Sequence, residues 1–184
     1  MARNSSSAPC FLLLLLLVVV PHHHQLISAL ALAPNPMVQS TCNSTTFYDL
    51  CVAALAGDPS SSTADVPGLC VIAVSAAAAN ASATASFLLR PSPSYSYSST
   101  LLRSCAAQYA NASEALLAAR LSVADQAYDY AVVHVSAAAE YPTVCRTLFR
   151  RRPYPLELAK REDGLRRLCT IALDIISLLL QKNA

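Results

Sequence analysis

The chain has 184 residues, 13 Lys and Arg against 11 Asp and Glu, a formal net charge of +2, and 54% apolar residues. With only three glycines, scattered at Gly57, Gly68 and Gly164, no glycine-rich phosphate loop can be built, and no basic stripe interleaved with aromatics is present to bind nucleic acid. Alanine and leucine dominate, Trp is absent, and nowhere do β-branched and polar residues alternate for long, so the composition reads as all-α.

The N-terminus carries an export pattern: Arg3, then an apolar run from Phe11 to Val20, cut off by Pro21 and His22-His23-His24-Gln25. A spanning helix needs about 20 apolar residues, more than this run supplies. Small residues at Ala29-Leu30-Ala31 and Ala31-Leu32-Ala33 predict cleavage near residues 31 to 33. The competing reading, an uncleaved anchor using both apolar stretches, would leave the histidines within the membrane. Residues 1–33 are therefore expected to be a signal peptide and 34–184 a single secreted domain without stable membrane association. About 150 residues suffice for one hydrophobic core. Three sequons, at Asn43, Asn80 and Asn111, suit passage through the secretory pathway and are candidate glycosylation sites.

In chain order, Pro67-Gly68 precedes an Ala-rich run through Leu89, the first bundle helix. A low-complexity stretch, Pro91 to Ser99, alternates Pro, Ser and Tyr and predicts an extended loop, with hydroxylation and glycosylation of its Ser-Pro units open. Leu102, Cys105, Tyr109, Ala112, Leu116, Ala119 and Val123 step by three and four, one stripe of a second helix. A turn is expected at Ala124-Asp125-Gln126. The rhythm resumes at Tyr128, Ala131, Val135, Ala138, Pro142, Cys145 and Phe149, with Pro142 kinking or ending this third helix. Gly164 precedes Leu165, Leu168, Ala172, Ile175 and Leu179, read as the fourth helix.

Once Cys10 leaves with the leader, six cysteines remain, which permit fifteen pairings. Cys105 and Cys145 lie about twenty residues on either side of the turn, so at 1.5 Å per residue the chain travels roughly 30 Å out and the same back. They should meet and bond. Cys42 and Cys51 come together if the segment between them forms a short helical hairpin. Cys70 and Cys169, each taken as near the start of its helix in an antiparallel pair, point apart and read as buried free thiols. Neither has a second ligand at metal-like spacing, so no metal or cofactor is expected.

Charge is unevenly placed: Pro34 to Cys145 holds three basic and seven acidic residues, and Arg146 to Ala184 nine basic and four acidic. Arg146 with Arg150-Arg151-Arg152 is a candidate contact for an acidic polysaccharide or an acidic protein patch, or else a solvated loop. His134 is the one imidazole beyond the leader, and no catalytic motif can be completed around it, so the chain is not expected to be an enzyme. A lipid carrier is disfavoured because adjacent Cys-Cys and C-x-C elements are missing.

From about Val38 to Leu180 the chain resembles the plant invertase and pectin methylesterase inhibitors, including the invertase-inhibitor-like pollen allergens. The likeness rests on Cys42-Asn43-Ser44-Thr45-Thr46-Phe47-Tyr48-Asp49-Leu50-Cys51, on Gly57-Asp58-Pro59 followed by Thr63 to Leu69, on Leu102-Arg103-Ser104-Cys105 with Tyr109, and on Val135-Ser136-Ala137-Ala138 with Cys145 and Phe149. The resemblance implies an up-down-up-down four-helix bundle preceded by a small helical hairpin, with Cys42, Cys51, Cys105 and Cys145 paired in sequence order. It also implies a noncovalent one-to-one complex with pectin methylesterase or acid invertase in the cell wall, formed beside or over the enzyme's cleft.

Two departures bear on the target. The family's S-A-A-L-T block reads Ser136-Ala137-Ala138-Ala139-Glu140, and the tripeptide P-K-F of some invertase inhibitors is missing near Tyr128-Asp129-Tyr130. The second favours pectin methylesterase, with invertase the alternative. A noninhibitory wall or pollen protein is the alternative of another class. Contacts are expected from the second and third helices and their turn, with Gln126, Asp129 and Glu140, all off the apolar stripes, as candidates.

Overall fold

The computed structural model describes residues 35–90 and 99–183. The expected leader, residues 1–33, and nearly all of the Pro-Ser stretch lie outside the described residues. Two short helices come first, α1 (Pro36–Cys42) and α2 (Tyr48–Ala56). The Asn35 side chain caps α1 by accepting from the Met37 amide at 2.9 Å, and its Nδ2 donates to the Ser62 carbonyl at 2.6 Å. One side chain thus starts the hairpin and ties it to the single 3-10 turn Pro59–Ser62. That turn is capped in its own right by Asp58, whose carboxylate accepts from Ser60 Oγ and N and is held below its ordinary range by those bonds. The Cys42–Cys51 bridge, with Cα atoms 5.6 Å apart, joins the two hairpin helices.

Four long segments follow: α3 (Val66–Leu88), α4 (Ser99–Ala124), α5 (Tyr128–Glu140) continued by the short α6 (Thr143–Leu148), and α7 (Leu156–Asn183). Asp65 starts α3 by accepting from the Gly68 amide at 2.9 Å, a cap worth about 1 kcal/mol. Gly68 suits that first turn, because a Cβ would stand 3.1 Å from both the Asp65 carboxylate and the Ala64 side chain and would make them give by a few tenths of an ångström. Pro142 separates α5 from α6, as its missing amide and fixed φ require.

The helices pack in a ring, α3 on α4, α4 on α5, α5 on α7 and α7 back on α3, within one compact unit spanning Pro34–Ala184. All seven residues of the stripe from Leu102 to Val123 are buried, as are the seven from Tyr128 to Phe149. α3 is long and apolar enough to cross a membrane by length and composition, but Leu69, Val74, Ala77 and Ala81 on it are fully buried in the core. Cys105 and Cys145 form the second bridge with Cα atoms 5.3 Å apart.

One expectation is corrected. α7 begins at Leu156, so Gly164 lies inside the helix and does not precede it. Leu158, buried at 1% exposure, pins the extra turns, and Arg161 lays its guanidinium 3.9 Å from the centroid of the Phe87 ring on α3. Glu157 to Arg161 and Asp163 to Arg166 and Arg167 add ion pairs one helical turn apart. These contacts outweigh the roughly 1 kcal/mol that a mid-helix glycine costs.

The consequence for Cys169 is that it sits at mid-helix, while Cys70 lies one turn into α3. Both are free and buried, as expected, but for a different reason. Val66 and Leu178 line one cleft, which sets the register of α3 against α7. Counted from those two residues, Cys70 lies four and Cys169 nine residues into the bundle, so the thiols are offset by roughly 7.5 Å along the axis, beyond the reach of a disulfide once the gap between the helices is added.

Candidate functional site

The turn between α4 and α5 is closed by two backbone bonds, Ala127 N to Ser122 O at 2.8 Å and Gln126 N to Val123 O at 3.0 Å. This is a Schellman arrangement, and its left-handed position is usually glycine. Here Gln126 occupies it with φ of 59°, the one positive-φ non-glycine residue among those described. An L residue held in that region costs about 1 kcal/mol, and such strain concentrates at functional positions.

Gln126 also lines a cleft of about 450 Å³ where the hairpin, the start of α3, the α4–α5 turn and the end of α7 converge. Met37, Val66 and Leu179 supply apolar wall, and Lys182 stands at the edge. Thr41, only 2% exposed, lines the same cleft, and its hydroxyl has no hydrogen-bond partner among the described residues. The hairpin is held over this end by Thr46 N, which donates to Asp174 on α7 at 2.7 Å, and by Arg167 above the Phe47 ring.

Asp129 is exposed in the first turn of α5 and Glu140 is exposed at its last residue. Eleven residues separate them, three helical turns, so they share a face but stand roughly 16 Å apart. Gln126 and Asp129 belong to one end of the molecule and Glu140 to the middle of its length. Between the two acids the same face presents Val133 at 62% exposure and Ser136, and Tyr130 stands beside it at 70%. Composition alone did not single out Tyr130 and Val133. Their position off the buried stripe Tyr128, Ala131, Val135, Ala138 was the signal that could have.

Of the candidate sequons, Asn43 and Asn111 are exposed, whereas Asn80 is half-buried on α3 with its side-chain oxygen unpartnered. His134 is half-buried on α5. Burial pushes both free thiols up to about 12, so Cys70 and Cys169 stay protonated. Among the described residues no three His, Cys, Asp or Glu are grouped to hold a metal.

The opposite end has its own anchor. Glu162, 12% exposed, accepts from Arg146 Nε and from the Tyr154 hydroxyl, each at 2.7 Å. Tyr154 packs edge-on against the buried Phe149 at 5.6 Å and takes the Arg146 guanidinium on its face at 4.8 Å. Burial, with the hydrogen bond to Glu162, raises the Tyr154 phenol well above its ordinary range. Tyr109, fully buried, ends in a hydroxyl without a partner among the described residues.

A family model described as plant invertase/pectin methylesterase inhibitor matches residues 36–175. Pectinesterase inhibitor 28 of Oryza sativa subsp. japonica is 54% identical over 161 residues, covering 80% of this chain and 71% of that protein. Cell wall / vacuolar inhibitor of fructosidase 2 of Arabidopsis thaliana is 36% identical over 151 residues, covering 79% and 84%. Among solved structures, a mutant form of a pectin methylesterase inhibitor from Arabidopsis superposes with a TM-score of 0.59 at 22% identity, covering 77% of this chain and 95% of that one. The crystal structure of a pectin methylesterase inhibitor from Arabidopsis thaliana gives 0.54 with the same identity and coverage. These two likenesses show the fold.

Proposed function

The chain belongs to the plant invertase/pectin methylesterase inhibitor family, and from that premise we propose that it is a secreted protein that blocks the cleft of a plant pectin methylesterase by noncovalent one-to-one binding. The observation that carries the choice of enzyme is the 54% identity to a pectinesterase inhibitor, set against 36% to an inhibitor of fructosidase. Inhibition without turnover suits the chemistry available. Among the described residues His134 has no hydrogen-bonded catalytic partner, and the two free thiols are buried and protonated, so neither supplies a nucleophile.

The contact face runs from the α4–α5 turn along the outer side of α5. Tyr130 and Val133 are the apolar anchors and Asp129 and Glu140 the charged flank, a composition suited to a binding hot spot with a polar rim. Gln126, strained and set at the mouth of the neighbouring cleft, meets a side chain of the enzyme that enters it. The leader, residues 1–33, delivers the domain to the wall.

Titration of the secreted protein against a panel of plant pectin methylesterases and acid invertases, at mildly acidic pH, tests this. The expected result is stoichiometric loss of methylesterase activity and a one-to-one complex by light scattering. Tyr130→Ala should weaken binding by about 30-fold, roughly 2 kcal/mol. Charge reversal at Asp129 and Glu140 should also change affinity, with helicity and melting unchanged. Inhibition of invertases alone would transfer the reading to that enzyme. Full activity of every enzyme tested would replace it with a noninhibitory wall protein.

A further inference from the structure

The end of the bundle away from the hairpin carries charge that the fold does not neutralise. The Cys105–Cys145 bridge and the stacking of Arg161 on Phe87 bring together the end of α3, the start of α4, α6 and the start of α7. Arg90 just past α3, Arg103 on α4, Arg150 and Arg151 just past α6, and Lys160 on α7 are all exposed there. The acids on these elements are engaged, Glu157 by Arg161, Glu162 by Arg146 and Tyr154, and Asp163 by Arg166 and Arg167. Among the described residues no acid lies within ion-pair distance of Arg90, Arg103, Arg150, Arg151 or Lys160.

The segment that carries the arginine run is held in place. Phe149 is buried, Tyr154 packs on it, the Arg152 amide closes a turn onto the Phe149 carbonyl at 2.7 Å, and Pro153 and Pro155 restrict the backbone. Fixing the neighbouring guanidinium groups of Arg150 and Arg151 in one turn incurs like-charge repulsion that no ion pair of theirs offsets among the described residues. The charges are spread over four elements and do not converge on a pocket, which suits a linear partner with regularly repeated single charges. Planar guanidinium groups match carboxylates in particular. Leu89, Leu148 and Leu156 are exposed among them, apolar surface that a polymer bearing both esters and acids can cover.

We propose that this end is a binding face for a polyuronate, namely pectin stretches whose methyl esters have been hydrolysed, with Arg90, Arg103, Arg150, Arg151 and Lys160 meeting the carboxylates and the leucines meeting residual esters. The inference rests on the proposed secretion to the wall. Hydrolysis of each methyl ester by a pectin methylesterase consumes one water and leaves one carboxylate, one proton and one methanol, so the enzyme's own product creates the sites on which its inhibitor gathers. The enzyme-facing and polymer-facing surfaces are then separate, and the protein binds both at once.

The test is retention of the secreted protein on immobilised polygalacturonate at low ionic strength, beside fully methyl-esterified pectin and vesicles containing phosphatidylserine. Retention on polygalacturonate alone is expected, with elution by about 0.5 M NaCl. The double variant Arg150→Ala, Arg151→Ala should bind the polymer about tenfold more weakly while its affinity for the enzyme, measured without pectin, stays the same. Equal binding of wild type and variant, equal retention on the fully esterified polymer, or binding to the vesicles without the polymer would each overturn the proposal. Loss of enzyme inhibition with polymer retention intact would count against the inhibitor reading and leave this one standing.

Discussion

The two ends of the bundle are each closed by one disulfide, yet they are stabilised in different ways. At the hairpin end, Cys42 and Cys51 are nine residues apart, the supporting bonds are caps and single hydrogen bonds, and a cleft with an unpartnered hydroxyl and a strained Gln126 is left open. At the other end the bridge spans 40 residues, and Glu162 gathers Arg146 and Tyr154 over a buried Phe149. The hairpin end thus keeps unsatisfied groups and strain where a partner can relieve them. The other end satisfies its buried acid, encloses its own unpartnered Tyr109 hydroxyl in the core and presents mainly cations on the outside. The contrast separates a surface shaped for one protein partner from a rigid platform that displays charge.

The largest effect should come from the bridges themselves. In the chain-entropy model, Cys105→Ser with Cys145→Ser removes about 4 kcal/mol, and Cys42→Ser with Cys51→Ser about 3 kcal/mol. Denaturant unfolding of the two double variants measures both, and a larger loss from the hairpin pair would reverse the proposed order of the ends.

Next comes Glu162→Gln, which removes the anion that Arg146 and Tyr154 share and leaves one acceptor oxygen where there were two, in a nearly buried place. A loss of about 1 to 2 kcal/mol is expected, read as a lower melting temperature, with enzyme affinity untouched because the change lies far from the α4–α5 turn. No change in melting would mean that the loop is held by Phe149 and the prolines alone.

A smaller pair of gains sharpens the contrast. Gln126→Gly relieves a left-handed residue, and Gly164→Ala fills a helical position with nothing within 4 Å of the added carbon. Each should raise stability by about 1 kcal/mol. Only Gln126→Gly should weaken inhibition, and equal inhibition by both variants would remove Gln126 from the contact face.

The smallest effect depends on pH. The hydrogen bond from Arg166, with the nearby Arg167 charge, holds the Asp163 carboxyl below its usual 3.8. A depressed carboxylate contributes stability that is fully present above that value and is lost as pH falls through the lower folded one. The side chain is 41% exposed and screened, so Asp163→Asn should cost only a few tenths of a kcal/mol near neutral pH and nothing at about pH 2. A cost that persisted in acid would assign the effect to helix propensity.

Several features were legible in the sequence because they depend on local periodicity. The stripes on α4 and α5, the break at Pro142, the turn at Asp125-Gln126 and the Cys105–Cys145 disulfide follow from three- and four-residue spacing and from the rise of a helix. The start of α7 was not legible. Glycine is a local stop signal, and what overrides it at Gly164 is Leu158 in the core and Arg161 on Phe87, contacts with a helix some seventy residues earlier. For the same reason Cys169 was assigned to the wrong level of its helix although its free state was anticipated. Gln126, Asp129 and Glu140 were rightly read as exposed, but their spread along the molecule, and the exposure of Tyr130 and Val133 among them, needed the packed helices.

The sequence by itself determined the helical class and the Cys105–Cys145 pairing, because these follow from spacing along one chain, while the hairpin ahead of the bundle and its Cys42–Cys51 bridge were implied by the family resemblance. Only the tertiary structure decided that Gln126, Thr41 and Lys182 share a cleft, and that Arg90, Arg103, Arg150 and Lys160 share an end with their nearby acids already engaged. The physical reason is that a binding surface is a property of distances between elements far apart in the chain. Those distances are set by how the four helices pack, which no local pattern records.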